Sequence, residues 1–149
     1  MTESLDAADL ARQVTFVVTL LALLVGHQVG DHVLQSDDQA ARKSQPGAPG
    51  WTAMAGHLLA YHLAVGAILA LVAAVLHVPL TVTGVAAGLA FSAVTHAVLD
   101  RRHLVRAVLR ATGSPGFAEQ TTPVCGMYVA DQALHWLCLL ISALLVATL

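Results

Sequence analysis

Charge is scarce in this sequence. Asp, Glu, Lys and Arg make up 11% of its 149 residues, where an ordinary soluble domain carries about 25%. Hydrophobic residues reach 57% and mean hydropathy is +0.74, which together argue against a water-soluble globule. A basic surplus is also lacking. Seven basic residues stand against nine acidic ones, for a formal net charge of -2, and general nucleic-acid binding needs a strongly basic face. Cysteine is nearly absent, so no disulfide framework exists. Cys125 and Cys138 lie thirteen positions apart in one apolar stretch. On a helix that is a rise of roughly 20 Å, too far for them to bond each other. The two are expected to serve as small packing residues. No internal repeat organises the chain, and its length suits one domain, residues 1–149.

Four long apolar runs are present instead, at roughly 10–36, 51–77, 82–112 and 122–148, the third including a polar extension. A bilayer-spanning helix needs about 20 mainly apolar residues. A soluble bundle would need a polar outer face on every helix, yet Leu63–Val75 and Leu137–Leu149 carry no charge on any face. The fold expected is all-α: a four-helix, antiparallel transmembrane bundle with a short amphipathic cytoplasmic extension of its third helix. The opening flank, MTESLDAADLAR, is acidic where a signal peptide is basic, so the first span should persist. Ser4 or Asp9 is the expected cap of its start.

Arg42, Lys43, Arg101, Arg102, Arg106 and Arg110 fall in the first and third loops, and only Arg12 falls on the other side. The positive-inside rule then places those two loops in the cytoplasm and both termini outside. Arg102, Arg106 and Arg110 recur every fourth residue beside Leu104, Val105 and Val108. With Arg101 they form a basic stripe suited to anionic lipid or a cytoplasmic partner. The segment from Gly113 to Gly116 should end that extension.

Ionisable residues in apolar helices are costly and face a bundle interior or cavity. Here they are layered. His27 and Asp31, His96 and Asp100, and Asp131 and His135 are pairs four residues apart, each on one helical face. The order reverses in the last pair, as does the expected direction of its helix, so His lies deeper than Asp in all three. His57 joins the same layer from the second span, with Tyr61 one turn deeper. Gln35 and Gln132 lie alongside.

Imidazole and carboxylate ligands suit zinc, manganese or iron. His27, Asp31, His57, His96, Asp100, Asp131 and His135 are enough for one ion with supporting carboxylates, or for two ions. Water on such an ion becomes a nucleophile near neutral pH, and Asp31, Asp100 or Asp131 is placed to act as catalytic base. Gln35, Tyr61 and Gln132 would support the ligands. Two other readings accommodate the same residues: hydrogen bonds that hold the helices together, and a proton or ion relay. His32 and His62 sit five residues from His27 and His57, off the faces of the pairs, and are expected at the lipid edge or in helix packing. Gly26 and Gly30 flank His27 and would let another helix approach.

These residues also resemble a known set. GHQVGDHVLQ (Gly26–Gln35), followed by Lys43, is similar to the first-helix signature of an uncharacterised bacterial integral membrane family called domain of unknown function 3307. That signature runs His, three residues, Asp, an aromatic, one residue, Leu, Gln, then a Lys past the helix. HLLAY (His57–Tyr61), THAVLD (Thr95–Asp100) and DQALH (Asp131–His135) resemble its later elements, in order and over nearly the whole chain. His32 stands where the family has Phe, and Arg101 and Arg102 where it has Lys. The resemblance implies a membrane location and the polar positions His27, Asp31, Gln35, His57, His96, Asp100, Asp131 and His135. It implies no activity. The combined expectation is a multi-pass protein of the bacterial inner (plasma) membrane, able to oligomerise. A divalent-metal site on its cytoplasmic half would support hydrolysis near the membrane surface.

Overall fold

The computed structural model describes residues 6–149, so Ser4 lies outside the described residues. Asp6 is the cap of the first helix, α1 (Ala7–His32), accepting from Asp9 N–H at 2.8 Å. Asp9, expected to be the cap, instead sits in the first turn, where a carboxylate favours the helix dipole, and pairs with Arg12 at 3.1 Å.

Among the described residues there are six α-helices and no strand: the four expected long helices and two short ones between them. α2 (Asp37–Arg42) is a short helix in the first loop, set off by a reciprocal capping box between Ser36 and Gln39. α3 (Gly47–Leu76) starts earlier than its apolar run and ends at His77, in the left-handed region at φ 52. α4 (Val82–Asp100) is capped by Thr81. The expected continuous extension to residue 112 is interrupted. Arg102 adopts φ 61, and a separate helix, α5 (His103–Ala111), follows. A 3-10 turn (Pro115–Glu119) leads to α6 (Gly126–Thr148).

α5 is amphipathic as expected. Val105 and Leu109 are buried against Leu99 and Met127, while Arg102, Arg106 and Arg110 are exposed. Arg101 does not belong to that stripe. Its guanidinium donates to the Gln45 carbonyl at 3.0 Å, reaches the Lys43 carbonyl at 3.4 Å and lies 4.6 Å over the Trp51 ring. It therefore ties the end of α4 to the α2–α3 connection.

α1, α3, α4 and α6, with 26, 30, 19 and 23 residues, are long and apolar enough to cross a membrane. Even the shortest rises about 28 Å at 1.5 Å per residue, close to the roughly 30 Å hydrocarbon core. α1 packs on both α3 and α6, and α6 on α4, while α3 and α4 meet more lightly. Gly26 and Gly30 provide the close approach on α1. A Cβ at Gly26 would lie 3.0 Å from Val65 of α3, and one at Gly30 only 2.7 Å from the Tyr61 ring.

The distribution of polarity is inverted relative to a soluble protein. Leu21, Val25, Leu63, Val94 and Leu137 are exposed, while His27, His57, His96 and His135 are almost completely buried. Water would penalise so much apolar surface; a bilayer solvates it and drives the ionisable groups inward.

Candidate metal centre

Periodicity first decides where the polar side chains go. A spacing of four places His27 above Asp31, and His96 above Asp100, on the inward stripes of α1 and α4. His57 projects from α3, and Lys43, at the end of α2, reaches in beneath them. Four atoms converge there. His57 Nε2 lies 2.9 Å from His96 Nε2, 3.1 Å from Asp31 Oδ1 and 3.3 Å from Asp100 Oδ2. His96 Nε2 lies 3.6 Å from Asp31 Oδ1 and 3.1 Å from Asp100 Oδ2.

Lys43 Nζ stands at the same point, 2.8 Å from Asp100 Oδ2, 3.5 Å from Asp31 Oδ1 and 3.4 Å from His57 Nε2. The contacts with the two carboxylates are ion pairs by distance but are not aligned as hydrogen bonds. Asp31 Oδ1 and Asp100 Oδ2 are both buried without a hydrogen-bond partner. Buried carboxylate oxygens of this kind are costly unless a cation answers them.

The surrounding groups are hydrogen-bonded. Gln132 accepts from His27 Nε2–H at 2.9 Å and donates to Asp31 Oδ2 at 3.3 Å. That sets the His27 tautomer, leaving Nδ1 to accept from the Tyr61 hydroxyl at 3.1 Å. Both His27 nitrogens are thus engaged, and Nε2 is 4.0 Å from Asp31 Oδ2. Gln35, past the end of α1, places its amide nitrogen 3.2 Å from His57 Nδ1.

Asp131 and His135 approach from α6. His135 Nδ1–H donates to the Asp131 carbonyl at 2.9 Å, which leaves Nε2 as a buried lone pair with no partner. One ligand atom from each of Asp100, Asp131 and His135 falls within 4.8 Å of the others, a second grouping that shares Asp100 with the first. The His135 ring lies 4.5 Å from His96 and stacks on His27 at 5.3 Å. Six of the seven residues expected as ligands fall in these two groupings, with Asp31, His57, His96 and Asp100 forming the tightest set; His27 is in neither, because Tyr61 and Gln132 occupy its two ring nitrogens.

His62 bridges helices, donating to the Leu58 carbonyl at 2.8 Å and meeting Ser92 Oγ of α4 at 3.3 Å. His32 is exposed, 2.7 Å from the Tyr128 hydroxyl. Two residues at the site escaped reading from spacing alone. Lys43 lies in a polar loop, where it resembled one more cytoplasmic charge. The only signal for it was the Lys that follows the first-helix signature. Tyr128 carried no signal. A cavity of about 180 Å³ opens beside the cluster, lined among others by Asp31, Lys43, Asp100, Arg102, Asp131 and Gln132.

Fold and site define a class: an all-helical protein with four helices long and apolar enough to cross a membrane, and a His/Asp cluster buried among them. Residues 19–149 match the family described as "Protein of unknown function (DUF3307)", and the chain belongs to it. No curated protein and no solved structure matches the chain.

Proposed function

We propose that this protein is a membrane metalloenzyme, with a divalent ion held by Asp31, His57, His96 and Asp100 and hydrolysis as its reaction. One observation carries the reading: Asp31 Oδ1, His57 Nε2, His96 Nε2 and Asp100 Oδ2 converge, with both carboxylate oxygens buried and without hydrogen-bond partners. Metal–ligand lengths of about 2.0–2.1 Å space the ligand atoms of a tetrahedral site about 3.3 Å apart. The separations that involve the two histidines run from 2.9 to 3.6 Å. The donor set suits zinc, manganese or iron. A half-turn of the Gln35 amide would present its oxygen to His57 Nδ1–H and free Nε2 for the ion, the usual orienting partnership of a ligating histidine.

Such an ion would supply a Lewis acid and an activated water. The chain's own residues do the rest. Asp131, which lines the cavity, would take the proton from the attacking water. Gln132 holds Asp31 and His27 in register. The buried His135 Nε2 offers a further ligand or a proton acceptor.

The same reading takes the four long helices as an antiparallel transmembrane bundle. The pairing of Gly26 with Val65 and Gly30 with Tyr61, where one index rises as the other falls, supports that direction. α2 and α5 with their flanking residues, which carry every Lys and Arg except Arg12, would lie on the cytoplasmic side of a bacterial inner membrane, with both termini outside. Exposed Arg102, Arg106 and Arg110 would meet anionic lipid headgroups or a cytoplasmic partner.

A second reading, a purely structural network, draws on the position of Lys43, whose ammonium already answers both carboxylates. The two readings separate experimentally. The protein, reconstituted in nanodiscs and loaded with zinc, manganese or ferrous iron, would be assayed against a panel of phosphoesters and carboxylic esters. Turnover that disappears on chelation, and in Asp100→Asn, is the expected result. No turnover with any ion would overturn the hydrolase reading.

A further inference from the structure

The cavity beside the cluster has a neighbour. On the outer face of α1 and α6 runs a second, more apolar space of about 350 Å³, lined by Gln28, Tyr128, Val129, Gln132, Ala133 and Trp136. Tyr128 and Gln132 line both spaces. Gln132 is the partition: one side of it faces the groove, and its amide bonds His27 and Asp31 at the centre. The groove walls are exposed on the surface that the inverted polarity assigns to lipid, with Tyr128 49%, Val129 40% and Trp136 50% accessible. A polar chamber and a lipid-facing groove that adjoin at Tyr128 and Gln132 suit a ligand with a polar head and an apolar chain.

Charge specifies the head. Asp31, Asp100 and Asp131 face Lys43 and Arg102 across the cavity, so its formal charge is one negative. One divalent ion reverses that sign. An anion is repelled before the ion binds and attracted afterwards, with Lys43 and Arg102 as its hydrogen-bond donors.

We infer that the centre's substrate is a membrane lipid with an anionic phosphoryl head, which enters sideways between α1 and α6. The head would be held between Lys43 and Arg102, and the chain would lie along Val129, Ala133 and Trp136. This rests on the metal reading above, and the experiment reads the two separately. Ala133 is exposed and lines the groove but not the cavity beside the cluster. Ala133→Trp should fill the groove and leave the ion in place.

The probe is phosphatidic acid carrying a photoactivatable diazirine on its acyl chain, in phosphatidylcholine nanodiscs. Bound metal is measured on the same samples. The expected result is metal-dependent labelling concentrated on Gln28 and on Val129–Trp136, reduced at least tenfold in Ala133→Trp at unchanged metal content. Val129→Phe serves the same purpose from the other end of the groove should Ala133→Trp fail to insert. Labelling spread evenly over the outer faces of all four long helices, with metal bound, would overturn the lipid proposal alone. So would glycerol 3-phosphate competing as well as the intact lipid, because the chain would then contribute nothing. Wild-type protein without any bound ion would contradict the metal centre and take this proposal with it.

Discussion

His57 and His96 face each other across the contact between α3 and α4 with their Nε2 atoms 2.9 Å apart. Two neutral imidazoles tolerate that distance only when one nitrogen donates to the other, or when both lone pairs point at a shared cation. The cation nearest the pair is the ammonium of Lys43, 3.4 Å from His57 Nε2. The pair thus either shares a proton or faces a cation, and a bound metal ion would make it the second.

Replacing Lys43 with Met should strengthen metal binding rather than weaken it. The ammonium lies 3.5 and 2.8 Å from the two carboxylate oxygens that would hold the ion, and like charges about 4 Å apart repel by several kcal/mol at an effective dielectric of about 20. Zinc affinity, measured by competition with a chelator, should rise at least tenfold. The metal-free variant should melt earlier, because Asp31 and Asp100 lose their counter-charge. Unchanged affinity would mean that Lys43 and the ion do not share the site.

Gln132→Leu removes one acceptor and one donor at once, leaving His27 Nε2–H unpaired and Asp31 Oδ2 without its amide. A buried group left unpaired costs about 1–3 kcal/mol. Loss of an orienting partner typically costs about 10–100-fold in metal affinity. Both effects are expected, read by thermal denaturation in detergent and by metal titration. A variant with wild-type values in both would remove Gln132 from the site.

Gly30→Leu should damage packing rather than chemistry. Its Cβ would press into the Tyr61 ring at 2.7 Å, and overpacking costs typically about 1–3 kcal/mol. Because Tyr61 also holds His27, metal affinity should fall together with stability. Gly66, inside α3, whose added Cβ would meet nothing within 4 Å, is the control: Gly66→Ala should leave metal affinity unchanged and should not destabilise the helix.

Arg101→Lys should behave as a loss and not as a conservative change. A lysine cannot lay a planar guanidinium over Trp51 while one of its nitrogens, Nη1, reaches the carbonyls of Lys43 and Gln45. About 1 kcal/mol of stability should go, with a change in Trp51 fluorescence. Arg106→Lys, on the exposed stripe of α5, should leave both unchanged.

Much of this site was legible because helices impose a period. His and Asp four residues apart must share a face, and a reversed order on a span expected to run the other way restores the same depth, so the layer could be read before any coordinate. The apolar runs were legible for the same reason. What stayed hidden depends on contacts between distant segments. The break between α4 and α5 arises at Arg102, a residue with no intrinsic preference for φ 61, and Arg101 is drawn inward by carbonyls 56 and 58 residues away. Lys43 enters the centre because the capping box at Ser36 starts α2 and points its far end under α1 and α4, which no periodicity reports. Gln132 was expected among the supporting residues, but its partners on α1 are set only by the packing of α6 against that helix.

The central claim is tested most directly by the metal content of detergent-purified protein, by elemental mass spectrometry. The wild type would stand beside a His57→Ala, His96→Ala double variant whose helicity and insertion match it. The account predicts at least one zinc, manganese or iron ion per chain in the wild type, lost in the double variant. No ion in either protein, even after loading with each metal in turn, would contradict it and leave the His/Asp layer as a bond between helices.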